Sequence, residues 1–164
     1  MVCPMKQWFA CLVFVAALLG GSFAVSAQEE PMRVPVDAQA LKIQTASGEK
    51  SFGLEIADTD QKRSAGLMYR KDFPADRAMI FVFGEERPVM MWMANTPLPL
   101  DMLFVRNDGS IARVAENTVP FSKDIVASGE PVAFVIEVNA GIAAKLGIKA
   151  GDTVKHRIIC GQCQ

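Results

Sequence analysis

Residues 90–101 read Met90-Met91-Trp92-Met93-Ala94-Asn95-Thr96-Pro97-Leu98-Pro99-Leu100-Asp101, an apolar, sulfur-rich run that two prolines bring to a stop. Each proline fixes φ and removes a backbone donor. Thr96 and Leu98, each before a proline, are pushed toward extended geometry. The segment therefore continues neither as a strand nor as a helix. A buried strand has to end here and hand Asn95, Thr96 and Asp101 to the neighbourhood of Trp92 and Met93, which is how small-molecule pockets are commonly built. These residues, with Arg70 as a polar anchor, are the candidate ligand-binding set.

The two ends bound the setting. Lys6 precedes an uncharged apolar run, residues 8–19, which Gly20-Gly21-Ser22 breaks, and Val25-Ser26-Ala27 supplies small residues for cleavage. That is a signal-peptide pattern over residues 1–27, too short for the roughly 20 residues of a spanning helix. An exported protein, periplasmic or secreted, is expected, with no integral membrane span after processing. Residues 28–39 carry an acidic pair and two prolines and read as a flexible lead-in to a single domain over 40–159. With the leader gone, Cys160 and Cys163 in the tail 160–164 are the remaining cysteines. Export makes them a disulfide candidate. A thioredoxin-type role would need a helix N-terminus, whereas the pair follows an expected strand over 152–159.

Formal net charge is −1, and no Lys/Arg block interleaves with aromatics. Nucleic acid is therefore a poor partner. No phosphate-cradling glycine loop is present, and His156 is the only histidine, so neither a histidine-based triad nor a zinc site has its parts. No cofactor or metal is implied, and a monomer is expected. Sitting in the charged stretch Lys155-His156-Arg157, His156 reads as exposed.

Short runs with turn signals between them dominate the domain. Residues 41–45 and 52–56 alternate around Ser47-Gly48-Glu49, and 102–105 with 111–114 flank Asn107-Asp108-Gly109-Ser110; both read as hairpins. Residues 78–83 and 89–94 read as two successive strands, 120–131 as polar connection, and 132–138 as the strongest strand. Asp58 with Gln61 suggests a capping box opening a helix through about Tyr69. Asn139 suggests a cap for a helix over 140–146 that Gly147 ends. The expected fold is β-rich α+β: a partly closed barrel or folded-over, mostly antiparallel sheet with two short helices.

Arg63-Ser64-Ala65-Gly66-Leu67-Met68-Tyr69-Arg70, Met79-Ile80-Phe81-Val82-Phe83, Trp92-Met93-Ala94-Asn95-Thr96, Leu98-Pro99-Leu100-Asp101 and Glu137-Val138-Asn139-Ala140-Gly141 resemble, in this order, blocks of the domain of unknown function 192 (DUF 192). Asp108-Gly109 with Ile111, and Gly147-Ile148 with Gly151-Asp152, fit as well. The sequence departs at Ala94, where the family typically has lysine, and at Pro97, where an apolar residue is usual. The resemblance implies a compact β-rich barrel. It implies no reaction, so no catalytic residue is carried over.

Three roles follow from these residues. The first is a non-catalytic binding or accessory module whose apolar cleft, anchored by Arg70, Trp92, Met93, Asn95, Thr96 and Asp101, holds a small organic, saccharide-like or peptide ligand. The second is a hydrolase-like enzyme with Asp101 as acid/base. The third is a copper-binding protein using methionine thioethers beside Trp92. Glu137, an acid inside an apolar strand, needs a partner if buried, and Arg63, Arg70 and Arg113 are the arginines considered for it.

Overall fold

The computed structural model describes residues 30–160. The signal-peptide pattern and Cys163 lie outside the described residues, and so does any Cys160–Cys163 bond.

Seven strands form one sheet: β1 Leu41–Thr45, β2 Gly48–Ala57, β3 Arg77–Met91, β4 Leu100–Val105, β5 Ile111–Ala115, β6 Val126–Asn139 and β7 Thr153–Lys155. Their order is β5-β4-β6-β3-β2-β1-β7, antiparallel throughout except for the parallel pair β2–β3. The sheet curls until its two edges touch. Ser110 bridges Thr153, and the Val154 N–H donates to the Gly109 carbonyl at 2.8 Å. A Cβ on Gly109 would stand 2.6 Å from the Val154 carbonyl oxygen, and its φ is +85°. Glycine is what lets the edges close. The expected partly closed barrel and both expected hairpins are present.

The central strands are buried on both faces. Leu41, Ile43, Phe52, Leu54, Ile80, Leu103, Ile111, Ile136 and Val154 belong to a core that draws on all seven strands and fills the curl. Alternating with them, Met79, Phe81, Met102, Phe104 and Val135 face outward into a second core, closed over by Leu67, Phe73 and Met93. This two-sided burial explains why β3, β4 and β6 read as nearly continuous apolar runs rather than as alternations.

Several expectations needed correction. Residues 78–83 and 89–94 are not separate strands: β3 runs unbroken to Met91, and register shifts between Val82 and Arg87 and between Pro88 and Met90 absorb Gly84 and its charged neighbours. A bulge lengthens a strand where a turn would end it. Its partner β6 therefore begins at Val126, inside the supposed polar connection. Helix α1 is Asp60–Ala65, capped by Thr59, whose hydroxyl accepts from the Lys62 N–H at 3.3 Å; Asp58 binds the Lys62 ammonium at 2.7 Å instead. It stops well short of Tyr69 because Gly66 turns to φ +46°, and Tyr69 itself sits at φ +62°. The last strand ends at Lys155. A third helix, α3 (Arg157–Cys160), follows, so three short helices stand where two were expected.

His156 is buried, at 1% exposure. Its Nε2 lies 3.2 Å from the Gln39 carbonyl and 3.6 Å from Asp37, and its Nδ1 accepts from the Ile158 N–H at 3.3 Å. Burial lowers its pKa below the usual 6.5. The ring ties α3 to the lead-in, which the Asp37 N–H, donating to the Leu54 carbonyl at 2.7 Å, fastens to β2.

Asp101 was the proposed acid/base, and the structure gives it other work. It is fully buried. One oxygen accepts from the Asn117 N–H at 2.8 Å and the other from the Ala143 N–H at 3.0 Å. Helix α2, Ile142–Leu146, has Gly141 at its N-cap and no side-chain cap. Asp101 reaches across from β4 and supplies the missing acceptor, while Asn139 donates to the Phe73 carbonyl at 2.6 Å rather than capping anything. Asp101→Ala orphans both backbone donors and should lower unfolding free energy by roughly 3–5 kcal/mol, with Asp101→Asn costing about half as much. Urea denaturation of the three proteins checks this; equal midpoints would remove Asp101 from its role as a brace.

Candidate functional site

The pairing registers place Glu55, Met79, Glu137 and Met102 in one row across β2, β3, β6 and β4, on the outward face. Two acids thus lie in a band that is otherwise apolar. Their circumstances differ sharply. Glu55 binds Arg70 through two contacts, at 2.6 and 3.2 Å, with Arg77 at 3.9 Å. Glu137, at 4% exposure, stands between two methionines and has no hydrogen bond or ion pair among the described residues. Arg70, one of its expected partners, is taken by Glu55. Arg63 is taken by Asp60 and by the Asp58 and Val82 carbonyls, at 2.9 and 2.7 Å. Arg113 is taken by the Ala127 carbonyl and lies 5.6 Å over the Phe104 ring. Burial pushes Glu137 up to about 8, so it holds its proton at neutral pH.

Glu137 is reached from a cleft of about 370 Å³ between α1 with its following turn and the outer face of β3. Its apolar walls include Leu67, Phe81, Phe83, Met91 and Trp92. Trp92 is 52% exposed at the rim, whereas Thr96 is buried beside the acid's cleft and donates its hydroxyl proton to the Ala94 carbonyl at 3.2 Å. Gly66 shapes the inner wall: a Cβ there would come within 3.1 Å of the Phe81 ring, at a φ that L side chains rarely adopt. Arg63 is neutralised as above, and Arg87 stacks 5.0 Å over Phe83. A concave site that joins apolar walls to polar groups and holds one perturbed buried acid is a candidate small-molecule site.

Of the six candidate residues, Trp92 and Thr96 meet at this cleft. Arg70 is buried 5.0 Å over Phe73, on the Glu55 side. Met93 is in the core, its sulfur 3.2 Å from the Thr118 hydroxyl. Asn95, at φ +56°, turns the chain away and lines a second hollow with Tyr69, Pro97 and Phe121. That hollow is larger, about 480 Å³, but its Arg33 and Asp72 pair with each other at 2.9 Å in solvent, and among the described residues it holds no buried acid. Asp101 braces α2. The polar group that matters most at the cleft is Glu137, which the sequence marks only as an acid interrupting an apolar run. Among the described residues no cluster of histidine, cysteine or carboxylate groups is arranged to hold a metal ion, and no helix is long and apolar enough to cross a membrane.

The blocks 63–70, 79–83, 92–96 and 137–141, far apart in sequence, all contribute to this cleft. The sequence matches the family DUF192, described as "Uncharacterized ACR, COG1430", over residues 42–156. Among solved structures, one from Sinorhizobium meliloti 1021, whose description proposes a transcription regulator, is 46% identical with a TM-score of 0.71, over 76% of this chain and 97% of its own. A protein of unknown function from Novosphingobium aromaticivorans DSM 12444 is 33% identical with a TM-score of 0.71, over 84% and 100%. No curated protein matches. The chain belongs to the DUF192 family.

Proposed function

We propose that this is a binding module for a small amphipathic organic molecule, held in the cleft between α1 and β3. The observation that carries the reading is Glu137: a buried acid with no hydrogen bond or ion pair among the described residues, opening into a cavity of ligand size. Its carboxyl oxygens are not sealed off from the cleft, so a ligand's polar group can meet them directly. The ligand's apolar body packs against Trp92, Phe81 and Met91, and its polar end reaches Glu137 and Thr96. The signal-peptide pattern of residues 1–27 supports an exported setting, where a Cys160–Cys163 disulfide is the expected state.

A ligand-observed NMR screen of small aromatic and aliphatic amphiphiles tests the site. Hits should lose affinity at least about tenfold in Trp92→Ala and in Ala65→Phe, which narrows the mouth, and keep it in Asn95→Ala. Hits sensitive to Asn95→Ala alone would move the site to the second hollow and sink the reading.

The state of Glu137 is open to an independent check. Between about pH 4.5, its ordinary value, and about 8 the folded chain keeps a proton that the unfolded chain releases, so stability falls as pH rises through that window and levels off above it. The loss attributable to this group is on the order of 5 kcal/mol. His156 acts in the opposite sense, since its lowered pKa makes stability rise with pH up to about 6.5. Denaturation of the wild type against Glu137→Gln cancels His156 and isolates the acid. The variant should gain progressively on the wild type from pH 5 to 8, and a constant difference would show that Glu137 is ionised throughout.

A further inference from the structure

The buried end of the cleft has an unbalanced hydrogen-bonding inventory. Glu137 and Thr96 are the buried polar side chains of its lining. The Thr96 hydroxyl has one proton and directs it to the Ala94 carbonyl, which leaves that oxygen as an acceptor toward the cleft. Glu137, when ionised, is an acceptor only. Of the arginines nearby, Arg63 donates to Asp60 and two backbone carbonyls, and the exposed Arg87 sits over Phe83 at the rim, away from the buried end. The ring faces of Phe81, Phe83 and Trp92, which line the walls, are electron-rich and attract cations. With Glu137 ionised, the lining charges are Asp60 and Glu137 against Arg63 and Arg87, which balance; the cations of this set lie at the mouth and none is bonded to the acid.

We infer that the cleft takes an organic ammonium ion, a primary amine on an aromatic or aliphatic body, whose N–H groups donate to the Glu137 carboxylate and to the Thr96 oxygen. This rests on the cleft being the binding site proposed above. The amine enters in its charged form, Glu137 gives up its proton to solvent, and the ammonium and carboxylate remain paired in the low-dielectric interior, where such a contact is strong. A neutral ligand of the same shape would leave the acid protonated and release nothing.

The test is calorimetric titration of the full chain with 2-phenylethylamine, 2-phenylethanol and 3-phenylpropionate at pH 7, each in two buffers of different ionisation enthalpy. The amine should bind at least about tenfold more tightly than the alcohol and release close to one proton per site, while the anion binds worst. Glu137→Gln should cost the amine about tenfold or more, a clearly larger loss than the alcohol suffers, and abolish the proton release. Thr96→Val, a second variant that leaves the acid in place, should weaken the amine while proton release persists. Equal binding of amine and alcohol, or proton release that persists in Glu137→Gln because the amine itself sheds it on entering, overturns the ammonium assignment and leaves the cleft as a site for neutral molecules. Failure of all three compounds to bind removes both readings.

Discussion

The outward faces of β3, β4 and β6 are apolar, and a sheet buried inside its own curl must still cover them. Met79, Phe81, Met102, Phe104 and Val135 have to be shielded from water by whatever the connections can supply. The chain meets this demand with short pieces: the turn after α1 brings Leu67, the loop before β3 brings Phe73, and the segment after β3 brings Met93. Burial of such side chains is worth roughly 1.5–3 kcal/mol each, enough to hold irregular backbone in place. The covering is incomplete between α1 and β3, and the gap is the cleft. Site and second core are thus consequences of one constraint.

Irregular covering segments need their own fastenings, because loops lack the ladders that tie down strands. Among the described residues, two of the four non-glycine residues with positive φ, Tyr69 and Asn95, lie in these segments, and a third, Phe121, in the β5–β6 connection bonded to them. They are stitched together directly: the Tyr69 N–H donates to the Asn95 carbonyl at 2.7 Å and the Phe121 N–H to the Thr96 carbonyl at 3.1 Å. Asp101 makes a further stitch, joining the 117 turn to α2. Backbone held in sparsely populated regions persists only where its surroundings over-determine it, and here the surroundings are these bonds.

Local pattern made the strands and turns legible. Asn107-Asp108-Gly109-Ser110 could only be a turn, and the proline pair after Thr96 could only end a strand. The bulge in β3 was illegible, since Gly84 followed by Glu85, Glu86 and Arg87 has the composition of a turn; only the length of β6 beside it shows that the ladder resumes. His156 failed for a similar reason. Its charged neighbours suggest solvent, yet the chain leaves β7 there to start α3, and a strand-based alternation no longer applies. At the site, Trp92 and Thr96 could be placed near a cleft from the proline bend, without separating Trp92 at the rim from Met93 in the core. Asp101 could not, because an acid beside a proline bend looks the same whether it faces a ligand or two backbone amides.

Glu55 and Glu137 occupy one row of one sheet, separated by Met79. The fold evidently can satisfy an acid at this level, since Arg70 and Arg77 converge on Glu55. It does nothing of the kind for Glu137, although Arg63 reaches the same cleft and spends its donors on Asp60 and backbone oxygens instead. A leucine or methionine at 137 would pack against Met79 and Met102 without the desolvation cost, so stability gives no account of the carboxyl. What the two acids share is burial; what separates them is that one faces protein and the other faces a cavity. An unsatisfied group pointing at protein is a defect, whereas one pointing at a cavity is complementary to something that enters it. That asymmetry is the physical ground for reading the cleft as a place of recognition rather than a packing fault.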